Sequence, residues 1–207
     1  MYTIALIPNK TVSKQIVAFT EKYSEYITGN KLNMRCNVPH VTLLKTAFKA
    51  ETDLKKLLND ITSEYKNTSS SGVLLGLTIG SGRNYIASMA HDSSIVDLHN
   101  IVLPIVKPLV NKAGIKNKKF VGPTVEEVES YFKYGYKYTG DKFFSHISFG
   151  RASADEVPYE MLKEYEEIFL GKEIIFEKIV ICRGVKDMIG QVIVSKRLKP
   201  KSIPFIS

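Results

Sequence analysis

The sequence predicts an α+β protein of two similar lobes, and three observations carry that expectation. Strand-type and helix-type apolar spacings alternate along the chain, two pairs of strand-like runs are joined as hairpins, and a strand–helix–hairpin order occurs twice. With 207 residues, 44% hydrophobic and 24% charged, the chain buries a core in a single domain and is neither disordered nor an array of domains.

The first strand is expected at about 2–8. A helix over about 11–28 follows from Val12, Ile16, Phe19, Tyr23 and Ile27, which recur at three- and four-residue steps. An apolar run at 38–44 reads as a strand, and Leu54, Leu57, Leu58, Ile61 and Tyr65 place a helix at 51–66. Strand-like runs at 73–79 and 84–90 flank Gly80-Ser81-Gly82-Arg83, which is a hairpin signal. From 92 to 114, Ile95, Leu98, Val102, Ile105 and Leu109 share a helical face. Asp92 or Ser94 is available to cap that helix and Gly114 to end it. Pro104 and Pro108 predict that it is kinked or split.

Residues 115–142 read as a long excursion. They hold the basic cluster Lys116-Asn117-Lys118-Lys119, then Glu126, Glu127 and Glu129, then Tyr131, Tyr134, Tyr136 and Tyr138. Beyond it come an apolar run at 143–150, a helix at 158–170 between Pro158 and Gly171, and a closing hairpin of strands at 173–183 and 191–198.

The 29 Lys and Arg against 21 Asp and Glu give a net charge of +8, which points to an anionic partner. Cys36 and Cys182 lie far apart without CxxC spacing, so no disulfide framework or zinc cluster is expected and a reducing compartment is. The apolar start lacks a basic leader and reads as a strand. No run is long enough to span a bilayer, so a cytoplasmic protein is expected.

The informative feature is a pair of short segments, Pro39-His40-Val41-Thr42-Leu43-Leu44 and Ser145-His146-Ile147-Ser148-Phe149-Gly150. Alternation along a strand puts His40 and Thr42 on one face, with Val41 and Leu43 on the other, and repeats this for His146 and Ser148. Each segment is followed by a helix and a hairpin, so the two histidine strands are expected to face one another across a cleft. Imidazole is the side chain matched to proton transfer near neutral pH, and two of them divide the work on a phosphodiester. One takes a proton from the attacking oxygen, and the other gives one to the leaving oxygen. Thr42 and Ser148 are placed to donate hydrogen bonds to phosphoryl oxygens, and this chemistry calls for no metal or other cofactor.

The two His-x-Thr/Ser segments in this order resemble those of the 2H phosphoesterase superfamily, which includes cyclic phosphodiesterases and 2'-5' RNA ligase-like proteins. Continued to Arg151, the second segment is similar to that family's His-x-Thr-Leu-x-Arg form, with Ser148 for Thr and Phe149 for Leu. Gly76 and Gly80 fall where the family has its central hairpin. The resemblance implies a single bilobal domain over 1–207, with two pseudo-symmetric lobes of antiparallel sheet and outer helices around a basic central cleft. It also implies a metal-independent phosphodiesterase acting on 2'-linked or 2',3'-cyclic phosphates of nucleotides or short RNA, including 2'-5' oligoadenylates or cyclic nucleotide messengers. His40 and His146 would then be catalytic, Thr42 and Ser148 would hold the phosphate, and Arg151 is a further substrate-binding candidate. Two other readings fit the same residues: a nucleotide- or RNA-binding module without turnover, and 2'-5' RNA ligation. A monomer is expected.

Other features weigh less. His91 and His99, with Asp92 and Asp97, lack a ligand spacing and read as surface or capping histidines. Gly80-Ser81-Gly82-Arg83 lacks the context of a phosphate loop. Cys36 receives no role. Tyr134 and Tyr136 are candidates to stack nucleobases, with Lys133 and Lys137 meeting phosphates, against the alternative of a loop packed by its own aromatics. Lys196, Arg197, Lys199 and Lys201 read as a solvated strand edge and tail.

Overall fold

The computed structural model describes residues 1–65, 70–80, 82–90, 93–115, 124–185 and 188–198. Ser81, His91, Asp92, the cluster 116–119, Lys199 and Lys201 lie outside the described residues.

The strands are β1 (Tyr2–Pro8), β2 (Ile27–Gly29), β3 (Val41–Thr46), β4 (Ser70–Gly80), β5 (Asn84–Met89), β6 (His146–Ala152), β7 (Glu173–Val185) and β8 (Met188–Arg197). They form one sheet, and their pairings are antiparallel. The sheet has two halves of four strands, β8-β7-β1-β3 and β2-β6-β5-β4. Among the described residues the halves join at two places. Val41 pairs with Ile147 between β3 and β6, and the first residues of β4 pair with the first residues of β7. The expected lobes are therefore halves of one continuous sheet, each carrying one histidine segment.

Packing follows from side-chain alternation. Ile4 and Leu6 of β1, Val41 and Leu44 of β3, and Ile179 and Ile181 of β7 are buried on the helix-covered face. In β5, Tyr85, Ala87 and Met89 are buried while Asn84, Ile86 and Ser88 are half-buried on the other face. Helix α1 (Lys10–Lys22) begins where Asn9 Oδ1 accepts the Val12 amide at 2.9 Å. It buries Phe19 edge-on against Phe149 and Phe169, and each such ring contributes about 1.5–3 kcal/mol by leaving water. Asp53 caps α2 (Leu54–Glu64) and α3 is Ser93–Val106. Pro158 opens α5 (Tyr159–Ile168), and Gly171 follows it with φ +74°.

Several expectations are corrected. The first helix ends at Lys22; Ser24–Tyr26 form a 3-10 turn, and Ile27 belongs to β2, which pairs with β6. Pro104 is accommodated inside α3, and the split comes at Val106, before a 3-10 turn holding Pro108, so Gly114 does not end that helix. The excursion is not all loop. α4 (Val125–Tyr134) opens with a capping box of Thr124 and Glu127 and ends at Gly135, φ +83°. The tyrosines of α4 and the turn after it face inward: Tyr131, Tyr134 and Tyr136 are buried, the last two in the main core. Rings so enclosed offer no face to a nucleobase, and Lys137 is paired with Glu127 at 3.3 Å.

His99 is neither at the surface nor a cap. It is 0% exposed, donates from Nδ1 to the Leu43 carbonyl at 2.8 Å, and accepts the Gly140 amide on Nε2 at 3.1 Å. Its ring stacks on Phe143 at 3.9 Å between centroids. Both nitrogens are thus used, and burial depresses its pKa to about 4, so the ring is neutral at pH 7.

Candidate active site

Each histidine is fixed by the same local device. His40 Nδ1 lies 2.8 Å from the Val38 carbonyl and His146 Nδ1 lies 3.0 Å from the Phe144 carbonyl, in both cases two residues back along the chain. A carbonyl only accepts, so Nδ1 carries the proton in each ring and Nε2 is left with a lone pair. The Phe144 ring also stacks on His146, 5.2 Å between centroids and 23° between planes.

The strand register brings the two segments together. Val41 is opposite Ile147, and both are fully buried on the helix-covered face. One residue to either side on the other face, the register sets His40 opposite Ser148 and Thr42 opposite His146. Two imidazoles and two hydroxyls therefore alternate around one point on the sheet. β5 borders this group, with Ser88 paired to His146 and Ile86 paired to Ser148.

Irregularities then aim a cation from each strand. In β3, Ala5 pairs with Thr42 but Ile4 pairs with Leu44, so an extra residue intervenes and Lys45, opposite Thr3, takes the histidine face. In β6, Ile86 pairs with Ser148 but Tyr85 pairs with Gly150, so Arg151 takes that face too. Gly150 adopts φ +116°, and a Cβ there would meet Ile27 Cγ2 at 2.7 Å, so glycine is required where the strand bends. The structure thus brings His40, Thr42, His146 and Ser148 together. Arg151 is exposed at the far end of β6, its stem over Gly29.

The sequence reading missed Lys45. It stands at the same offset from His40 as Arg151 does from His146, a signal present in the sequence. Burial is the main cause that lowers the His40 pKa, to about 4, and the Lys45 and His146 charges lower it further. The His146 value is also lowered, again first by burial and then by Lys45. The carbonyl bonds act in the opposite direction in both rings without reversing the shift. At pH 7 the pair is neutral, and both Nε2 atoms are bases.

Among the described residues, no group of three or more His, Cys, Asp or Glu side chains is placed to hold a metal ion. No helix among them is long and apolar enough to cross a membrane. Cys36, exposed, and Cys182, buried, are both free thiols.

No family model matches the chain, and no curated protein matches it in sequence. Among solved structures, it is similar to TT0787 of Thermus thermophilus over 97% of this chain and 98% of that one, with TM-score 0.58 and 16% identity. That likeness shows a shared α+β fold. A second solved structure, described as a phosphoesterase, aligns over 96% of this chain and 98% of that one at 11% identity, with a TM-score of 0.47, too low to bear on fold or reaction.

Proposed function

We propose that the protein is a phosphodiesterase of the 2H type that cleaves 2'-linked or 2',3'-cyclic phosphodiesters in nucleotides or short RNA, with His40 and His146 as its acid–base pair. The observation that supports this reading most is the matched pinning of two imidazoles, Nδ1 to a carbonyl and Nε2 with no hydrogen-bond partner among the described residues, on adjoining strands of one face. Proton transfer in both directions needs such a pair within reach of one phosphorus.

In hydrolysis of a 2',3'-cyclic phosphate, one neutral imidazole takes a proton from water as the new P–O bond forms. The other, protonated, gives its proton to the ribose oxygen as the old P–O bond breaks. Thr42 and Ser148 donate hydrogen bonds to the nonbridging oxygens as charge builds there. Burial is the larger cause of the depression in both rings and Lys45 a smaller one. A phosphodiester anion arriving beside Lys45 opposes the lysine's share and favours the protonated form of one imidazole in the complex. The free thiols fit a reducing, cytoplasmic setting, and the reading takes the enzyme to act as a monomer.

The test is an assay in EDTA against a 2',3'-cyclic mononucleotide, a 2'-5' oligoadenylate, a 3'-5' oligoadenylate and cyclic dinucleotides, with His40→Ala and His146→Ala alongside. Selective cleavage of a 2'-linked or 2',3'-cyclic member, lost in both variants, is expected. Tight binding without turnover of any member would instead make the site a binding module, and EDTA-sensitive cleavage would overturn the two-histidine chemistry.

A further inference from the structure

The sheet is markedly short of carboxylates. Its strands carry Lys45, Arg151, Lys178, Arg183, Lys196 and Arg197 against Glu173 and Glu177, both on β7. The register sorts these cations by face. Lys196 is on the helix side, where its Nζ donates to Asn59 Oδ1 at 3.0 Å. Lys178 and Arg197 are on the histidine side, directly opposite one another across β7 and β8. Like charges paired in this way cost stability unless an anion joins them.

The pair is also in line with the active site. Leu6 pairs with Val41, so the next residues, Ile7 and His40, share the following position on the opposite face. Ile7 pairs with Lys178, and Lys178 with Arg197. One row therefore crosses the strands as His40, Ile7, Lys178 and Arg197. At about 4.8 Å per strand, Lys178 lies on the order of 10 Å from His40 and Arg197 on the order of 14 Å. Between histidine and lysine sits an apolar step, Ile7, which with Val38 packs onto a small cluster that includes Ala5 and Val180. A polynucleotide has the matching sequence of groups, with a phosphate at the histidines, a nucleoside over the apolar step, and further phosphates beyond. The next row, Thr42, Ala5, Val180 and Ser195, carries no charge, so on β7 and β8 the row through His40 is set apart from its neighbour by Lys178 and Arg197.

We infer that the Lys178–Arg197 row is a binding track for the phosphates next to the one held at the histidines, which makes a single-stranded oligonucleotide, not a mononucleotide, the preferred substrate class. This rests on the reading of His40 and His146 as a phosphodiester site. It assigns to Lys178 a role the sequence did not suggest, and to Arg197 a role other than solvated edge.

The experiment measures binding and turnover together. Oligoadenylates of one, two, four and six nucleotides ending in a 2',3'-cyclic phosphate are titrated by fluorescence anisotropy into the wild type, the Lys178→Gln/Arg197→Gln variant, and a Lys163→Gln/Lys172→Gln control. The control removes the same charge from exposed residues of α5 and the turn before β7. In the wild type, affinity is expected to rise with length up to about four nucleotides. The track variant should lose roughly ten-fold for the hexamer and under two-fold for the mononucleotide. Its salt dependence for the hexamer should be shallower by about 1.4 in log–log slope, two phosphates at about 0.7 each. The control should match the wild type. Equal losses in the two charge variants, or an equal loss for the mononucleotide, would overturn the track. Turnover separates the two readings. Cleavage of every length without a length-dependent gain in affinity retains the histidine site and removes the track. Length-dependent binding lost only in the track variant, with no cleavage by the wild type, retains the track and removes the phosphodiesterase.

Discussion

The two histidine strands share one local design but not the same surroundings. β3 and β6 each present an imidazole pinned to the carbonyl two residues back, a hydroxyl two residues on, and a cation past an irregularity. In β3 the cation, Lys45, is half-buried and its charge is felt by both imidazoles. In β6 the cation, Arg151, is exposed over Gly29. The β3 half also carries Lys178 and Arg197 in line with its histidine, whereas β6 is flanked by uncharged Ile86 and Ser88. A repeated motif thus gives the two imidazoles the same anchoring, and its unequal flanks distinguish their electrostatic surroundings.

The largest expected effect comes from His99, whose Nδ1 donates to the Leu43 carbonyl within the irregular part of β3 and whose Nε2 holds the loop leading to β6. Its pKa is about 4 in the folded protein against 6.5 unfolded, so the unfolded chain binds more protons between those values. Stability from this group is complete above about pH 6.5 and is lost as pH falls towards 4, up to on the order of 3 kcal/mol. His40, also depressed to about 4, acts in the same direction. Denaturant melts of the wild type and His99→Gln across pH 4–7 measure it. The variant should be less stable at pH 7 and lose less on acidification.

Next comes Lys45→Met. Removing this cation should raise the pKa of both His40 and His146, visible in NMR titration of their Cε1 protons, and weaken phosphate binding by about ten-fold. The equivalent loss at Arg151→Met should be smaller, with both imidazole pKa values unmoved, and equal effects at the two positions would erase the asymmetry. Thr42→Val and Ser148→Ala should each lower kcat several-fold with KM little changed, as removal of a hydrogen bond made mainly in the transition state does. The smallest effect is Tyr136→Phe. The ring is core packing, so oligonucleotide affinity measured by anisotropy should stay within two-fold of the wild type.

Local pattern revealed most of this fold. The alternation in β1, β5 and β7, the Gly80–Arg83 turn, and the two His-x-Thr/Ser segments are legible because each depends on neighbours a few residues away. The helix α4 was readable from Thr124 and Glu127, its capping pair, but a run of tyrosines and glutamates obscured its narrow apolar stripe. What no local pattern contains is register. That Ile7 stands between His40 and Lys178, or that one extra residue near Leu43 turns Lys45 onto the histidine face, depends on pairings between distant strands. The burial of His99 likewise needs Leu43 and Gly140, which are 56 and 41 residues away.

The central claim, that His40 and His146 act as one acid–base pair, is tested most directly by a double-mutant cycle on kcat/KM with a 2',3'-cyclic phosphate substrate in EDTA. Each alanine variant should lose about 10²–10⁴-fold, and the double variant should be little worse than either one, because removing one partner already disables the pair. Single losses under ten-fold, or losses that multiply in the double variant, would show that the two imidazoles do not act together.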